Sequence, residues 1–360
     1  MLAPDIIATI FTATEGAEIA CVTVAPDESI IFAQGTGICW YDVVEGQPHK
    51  RHALTGHSAQ VIALQLHEDA LYSVASNGEV FCWRRDQADS YTVNRRMHAE
   101  GIVSCVEMSL PRHIALGMTN GCVFLYGPRE PREQVPLALI GSWCRPIIRT
   151  KKSFSSLYRT ITAIHAMECA KNVYLAIVSS LEATTVCKIP VSTGQGSPKQ
   201  PQQNDLDYMD ISLSAECNTP IDAITHIPER NSRHNHIVVL GHRSGSVSLV
   251  RLEIPDRAGH KMQARMLDLA QLSEPAPKIG IGTGHGVKAV ALCQCAKHLI
   301  ILTRKAVVRI VSVHKLHDGE WSQLAVVPHR GRALGLEVLP HHEGCPCRAR
   351  IYTLLDWQQG

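Results

Sequence analysis

A short hexamer recurs seven times along the chain, and no other feature limits its fold as strongly. The pattern reads apolar, any, small, apolar, any, then usually apolar. Copies begin at Ile19 (IACVTV), Val61 (VIALQL), Val103 (VSCVEM), Ile161 (ITAIHA), Ile221 (IDAITH), Val287 (VKAVAL) and Ala333 (ALGLEV). The fifth departs from the pattern, ending in His226. One such hexamer fits any half-buried strand. Seven, at intervals of 42, 42, 58, 60, 66 and 46 residues, mark a repeated supersecondary unit. The small third residue predicts a strand that its neighbours approach closely.

A second marker sets the size of that unit. Gly35 to Trp40 (GTGICW), Gly78 to Trp83 (GEVFCW) and Gly121 to Tyr126 (GCVFLY) each run from glycine through alternating residues to an aromatic. Trp40, Trp83 and Tyr126 follow one another at 43 residues, within the roughly 40–45 residues of a β-propeller blade. In the second copy, Val61–Leu66 is followed by Ala70–Ala75 and Glu79–Trp83. The joining Ser76-Asn77-Gly78 is a hairpin turn, because Asn-Gly accepts positive φ. The fifth copy repeats this with His236–Leu240, Arg243-Ser244-Gly245 and Ser246–Leu252. Helical periodicity is confined to Lys261–Leu272, between blades. The expectation is an all-β, seven-bladed propeller over residues 1–360 as one domain. After the last inner strand only Arg350–Leu355 fits as a further strand, so Ile6–Thr12 is expected to pair with the last blade and close the ring.

These residues resemble the WD-repeat family. Gly56-His57 precedes the second inner strand and Gly284-His285 the sixth, as that family's Gly-His does. Trp83 ends a third strand in the position of its Trp-Asp, and Trp40-Tyr41-Asp42 comes near the full ending with Tyr interposed. The resemblance implies a buried hydrogen-bond network in the second blade, carried by His57, Ser73 and Trp83, with Asn77 where the family has Asp. Trp40, Tyr126 and His285 are the expected counterparts in other blades. It also implies an interaction scaffold rather than an enzyme.

Composition is consistent with this. Hydrophobic residues make up 45% and charged residues 19%, as in an ordinary globular core, and a net charge of +2 gives no bulk field for nucleic acid or membrane. Thirteen cysteines are scattered rather than framed. Cys21, Cys39, Cys82, Cys105, Cys122 and Cys187 lie in apolar runs, where a reduced thiol packs as a small hydrophobe. The expected compartment is therefore reducing, cytoplasm or nucleus. There is no basic signal-peptide start and no membrane-length apolar run, so no membrane partner is expected.

Two inter-blade segments stand out. Residues 143–160 hold Trp143, Arg145, Arg149, Lys151, Lys152, Phe154, Tyr158 and Arg159, with no acidic residue from Gln134 through Met167. Cations interleaved with rings suit phosphates and bases, although a solvated loop explains them as well. Residues 192–219 begin as a polar, proline-bearing stretch expected to be disordered. They continue as Asp205 to Ile211, either a linear motif or an outer strand. His341, His342, Cys345 and Cys347 are zinc-ligand types at spacings that match no recognised site, and a turn accounts for them. Cys293 and Cys295 share one strand face and read as core. No metal, cofactor or catalytic residue is expected. The leading reading is a non-catalytic scaffold that holds other proteins in an intracellular assembly. The alternatives are an RNA-associated accessory subunit using Arg145, Arg149, Lys151, Lys152 and Arg159, and a propeller-type methyl-ester hydrolase.

Overall fold

The computed structural model describes residues 19–25, 27, 29–45, 47–67, 70–85, 90–108, 113–128, 138–144, 159–170, 173–181, 183–190, 208–211, 219–228, 235–254, 262–271, 286–293, 297–317, 321–328, 332–338 and 349–354. Six four-stranded antiparallel sheets follow one another, each with its strands in chain order. Blade 1 is Ile19–Val24, Ile30–Gln34, Gly37–Val44 and Gln47–Leu54; blade 2 is Val61–His67, Ala70–Ala75, Glu79–Arg85 and Tyr91–His98. Blade 3 is Val103–Glu107, Ile114–Met118, Cys122–Gly127 and Ala138–Cys144; blade 4 is Ile161–Ala170, Val173–Ser180, Thr184–Pro190 and Tyr208–Ile211. Blade 5 is Ile221–Pro228, Asn235–His242, Ser246–Glu253 and Gln263–Gln271; blade 6 is Val287–Leu292, His298–Thr303, Val307–Ser312 and Gln323–Pro328.

The expectation of seven blades is corrected to six. The seventh hexamer forms a strand, Arg332–Val338, but among the described residues it pairs only with Ala349–Leu354 in a two-stranded sheet. Among the described residues no third or fourth strand adds to this pair, and Ala333 docks it against Ile300, Leu302 and Val308 of blade 6. The proposed closing strand Ile6–Thr12 lies outside the described residues. A second correction concerns Lys261–Leu272, where a helix was the candidate. Gln263–Gln271 is instead the fourth strand of blade 5. The one helix among the described residues is a single turn, Val313–His317. Asp205 to Ile211 ends in the outer strand of blade 4, Tyr208–Ile211.

The chain divides into two compact units, Met1–Val103 and Ser104–Gly360. The first holds blades 1 and 2, and the second holds the remaining sheets apart from Val103. Within each unit the core lies between successive blades. Ile31, Ile38 and Trp40 of blade 1 pack with Leu64, Leu71 and Trp83 of blade 2. In the second unit, Val123, Ile140 and Trp143 of blade 3 pack with Ile161, Ile164 and Ala176 of blade 4. Ile237, Val239 and Leu249 of blade 5 pack with Leu299 and Ile301 of blade 6.

The hexamer has a structural meaning that its pattern alone does not reveal. In six of the seven copies the register with the next strand shifts between the first and third residues. The unconstrained second position is therefore a β-bulge, which takes that residue out of the ladder and re-aims its side chain. Neighbouring strands approach closely around the hexamers. A Cβ added at Gly117 would lie 2.5 Å from Cys105 Sγ and 2.8 Å from Ile161 Cγ2. In blade 5, one added at Gly241 would lie 2.5 Å from Val287 Cγ1.

Candidate interaction face

The turn after each second strand and the start of each hexamer meet at one end of the blades, and backbone bonds fix them there. Within a blade, the turn residue donates to the carbonyl just before its own hexamer: Ser76 to Gln60, Arg243 to Pro220 and Arg304 to Gly286, each at 2.8 Å. Between blades, the first hexamer residue donates back to the preceding turn: Val61 to Gly35 at 2.8 Å, Val103 to Ser76 at 2.9 Å and Ala333 to Arg304 at 3.3 Å. The Ser76 and Arg304 turns are thus held on both sides, and the Arg243 turn is held by its own blade.

In the second unit the residues at the hexamer's second position add a side-chain latch. Ser104 Oγ donates to the Ile161 carbonyl of blade 4, and Thr162 Oγ1 to the Ile221 carbonyl of blade 5, each at 2.7 Å. The same position in blade 5 is Asp222, whose carboxylate accepts from Arg304 Nη2 of blade 6 at 2.9 Å. Asp222 also receives Arg243 through Nε at 3.1 Å and Nη2 at 2.8 Å. Its side chain is 8% exposed, whereas Arg243 keeps 50% and Arg304 38% exposure. One sunken carboxylate therefore orients two guanidiniums that still face solvent. The equivalent turn of blade 4 presents Leu181, 41% exposed. None of Asp222, Arg304 and Leu181 carries a sequence signal of its own, and Arg243 reads only as part of a hairpin turn. The available signal was the run of polar residues, Ser104, Thr162 and Asp222, at the hexamer's second position.

In the first unit the corresponding end carries the repeat network. His57 Nε2 lies 2.7 Å from Ser73 Oγ, and Trp83 Nε1 donates to the same oxygen at 2.8 Å. His57 Nδ1 lies 3.3 Å from Glu79, which also accepts from Ser58 N at 2.8 Å and Ser58 Oγ at 2.7 Å. The bonds close with one assignment: Nδ1–H donates to Glu79, and Nε2 accepts the Ser73 hydroxyl proton. Asn77 stands elsewhere, donating to Ser58 Oγ at 2.9 Å and accepting from Glu79 N at 3.2 Å. The carboxylate facing the ring is Glu79. Burial lowers the His57 pKa more than Glu79 restores it. Burial alone would raise the Glu79 carboxyl, but bonds from Ser58 and His57 bring it below its ordinary range.

Ser73, His57 and Glu79 have the connectivity of a nucleophile, base and carboxylate. Their burial argues for a different role. Ser73 is 0% exposed and its oxygen is occupied by Trp83, so no carbonyl carbon has a path to it. Blade 5 repeats the pair, with His242 Nε2 at 2.7 Å from Ser248 Oγ and Nδ1 at 3.3 Å from the Thr219 carbonyl. In blade 1, Trp40 Nε1 donates to Ser29 Oγ at 2.6 Å, and Ser29 Oγ to Asp27 at 2.6 Å. Asp27 in turn accepts from Arg51 at 2.9 Å. Tyr126 is buried in blade 3, and burial pushes its hydroxyl up to about 12.

Arg159 is half-buried just before the first strand of blade 4. Arg145, Arg149, Lys151, Lys152, His285, and the cluster of His341, His342, Cys345 and Cys347 lie outside the described residues, as does Cys295. Cys293 is buried one residue beyond its strand and accepts from His298 N at 3.1 Å. Cys122, read from sequence as a packed thiol, is instead disulfide-bonded to Cys144. Among the described residues no set of three or more His, Cys, Asp or Glu is placed to hold a metal ion. No described helix is long and apolar enough to cross a membrane.

Solved structures share this architecture. The WD40 repeats of RRP9 align with a TM-score of 0.57 at 16% identity, over 89% of this chain and 83% of that one. Sqt1 of Saccharomyces cerevisiae aligns with a TM-score of 0.58 at 12% identity, over 93% of this chain and 92% of that one. U3-55K gives 0.57 at 16% identity, over 89% and 84%. No protein-family model and no curated protein matches the sequence. At these identities the likeness carries the fold alone, and that fold is the WD40-repeat β-propeller.

Proposed function

We propose that this chain is a non-catalytic interaction scaffold that holds other proteins in a larger assembly. One observation carries the reading: Leu181, Arg243 and Arg304 stand exposed on the turns of three successive blades, and the Arg243 and Arg304 backbones are pinned by bonds at the hexamer starts. A surface already ordered loses little conformational freedom on binding. Exposed guanidiniums beside an apolar side chain suit an acidic, partly apolar segment of a partner protein. The WD40 fold supports the reading by analogy, since such scaffolds commonly serve this role. The test is affinity purification of the full chain from its native cell, followed by mass spectrometry. A stoichiometric partner lost on Leu181→Glu with Arg243→Ala is expected; recovery of no stable partner would refute the scaffold.

The second reading is RNA association through the basic segment, favoured by the interleaving of Arg145, Arg149, Lys151, Lys152 and Arg159 with Trp143, Phe154 and Tyr158. It predicts RNA binding that falls steeply with salt and is lost when Arg149, Lys151 and Lys152 become alanine. Absence of binding at low salt excludes it. The methyl-ester hydrolase is disfavoured at Ser73, whose occupied, buried hydroxyl no ester can approach.

A further inference from the structure

The fourth strand of blade 3, Ala138–Cys144, is an edge strand. Among the described residues it pairs with Cys122–Gly127 on one side and no further strand lies beyond it. Strands held on one side open more readily than central ones. The register sets Cys122 directly opposite Cys144, with Cα atoms 4.0 Å apart, and a disulfide joins them across 22 residues of chain. Cys144 is exposed and Cys122 half-buried.

The other described cysteines behave differently. Cys21, Cys39, Cys82, Cys105, Cys169, Cys187 and Cys293 are not disulfide-bonded. Burial pushes Cys105 up to about 12 and Cys187 higher still, so neither supplies a thiolate for exchange. A chain stapled for an oxidising compartment pairs its cysteines throughout. Among the described cysteines, one reachable disulfide beside seven unbridged thiols is instead the pattern of a reversible redox site.

We propose that Cys122 and Cys144 are a reversible thiol–disulfide switch that staples the edge strand of blade 3. A small thiolate such as reduced glutathione attacks the exposed Cys144 sulfur, forming a mixed disulfide and releasing Cys122 as thiolate. A second glutathione thiolate attacks the glutathione sulfur of that mixed disulfide, releasing Cys144 and glutathione disulfide. Two electrons enter the protein pair and both sulfurs take up protons; oxidation by glutathione disulfide runs the same steps backwards. Trp143 precedes Cys144, is 1% exposed, and packs in the core between blades 3 and 4 with Ile140, Ile161 and Val178. Freeing this strand end loosens the anchor of that tryptophan. In sequence Cys144 immediately precedes Arg145, so the staple sits at the start of the basic segment.

The test equilibrates the full chain in buffers of varied reduced to oxidised glutathione. Free thiols are alkylated, linked peptides are identified by mass spectrometry, and amide exchange is followed across Ala138–Cys144. A Cys122–Cys144 linked peptide is expected in oxidised buffer, disappearing in one two-electron transition. Exchange in the strand should be about tenfold faster in the reduced protein. A Cys122→Ser, Cys144→Ser variant should show the fast rate in both buffers, and the wild-type comparison stands without it. Alkylation of both cysteines in oxidised buffer overturns the proposal. So does a bond that survives about 10 mM reduced glutathione, or strand exchange indifferent to redox state.

Discussion

His226 makes the second unit sensitive to acid, and the size of the effect can be worked from its surroundings. Its Nδ1 lies 2.7 Å from His165 Nε2, and its ring centroid is 5.4 Å from that of His236. Beyond, His165 Nδ1 is 3.7 Å from Glu107. A bond between two imidazoles needs one N–H and one lone pair, so the pair holds at most one positive charge. Burial, then the neighbouring His165 and His236, bring His226 down from 6.5 to about 3. The folded protein therefore keeps this ring neutral, while the unfolded chain protonates it below pH 6.5. The contribution is fully present above that pH and is lost as pH falls toward 3. At pH 4 the linkage amounts to at most about 3 kcal/mol. The ring keeps some solvent contact, which screens the charge, and the expected loss is about 1–3 kcal/mol. Urea unfolding at pH 7 and pH 4 measures it, with His226→Asn as reference, because Asn retains a hydrogen-bonding atom near the Nδ1 position. His57 and His242 also have lowered pKa values and lose stability in the same direction, but they do so in both proteins and cancel in the difference. The wild type should lose about 1–3 kcal/mol more than the variant. Equal losses would refute the reasoning.

Three further substitutions probe the hydrogen-bonded ends of the blades. Gly78→Ala places a Cβ 2.1 Å from the Ala99 carbonyl oxygen at a φ of +94°, and should cost about 2–4 kcal/mol in urea unfolding; a cost near zero would mean that the turn relaxes freely. Ser73→Ala strips the partner from both Trp83 Nε1 and His57 Nε2, and should cost about 1–3 kcal/mol, with a changed tryptophan emission. Asp222→Asn loosens two guanidiniums that already face solvent, so its stability cost should stay below about 1 kcal/mol and shrink with added salt. A larger, salt-independent loss would show that the latch works chiefly through packing.

Blade 2 was readable because each of its signals is local: an Asn-Gly turn, an alternating run and an aromatic ending. Gln263–Gln271 was not, for a local reason of its own. Its register against Ser246–Glu253 shifts between Leu249 and Val250, skipping Leu267. The bulge turns Leu267 toward the core with blade 6, while Ala264 and Met266 pack toward blade 4. Apolar residues then fall at 264, 266, 267, 269 and 270, a spacing that imitates a helix. The carboxylate beside His57 had no local signal either, since Asn77, where the family has Asp, bonds within its turn and to Ser58. Glu79, two residues on, reaches back with a longer side chain. Latches such as Thr162 to Ile221, 59 residues apart, have no local signature beyond a polar residue in a bulge.

The error in blade number follows from what the hexamer physically reports. Ala333 at the start of the seventh copy is buried, packs with Ile300, Leu302 and Val308 of blade 6, and donates its N–H to the Arg304 carbonyl. These are contacts with the blade before it, and none depends on the strands that follow. The apolar first residue, the bulge and the small third residue all serve to dock one strand against its predecessor. A hexamer is therefore evidence for a docked strand. Evidence for a blade requires the turn after the second strand and the third strand beyond it, as Ser76-Asn77-Gly78 and Glu79–Arg85 provide in blade 2. By that criterion sequence alone supports blades 2 and 5 most firmly. The seventh copy carries only the docking signal, and among the described residues it forms the docked strand with one partner.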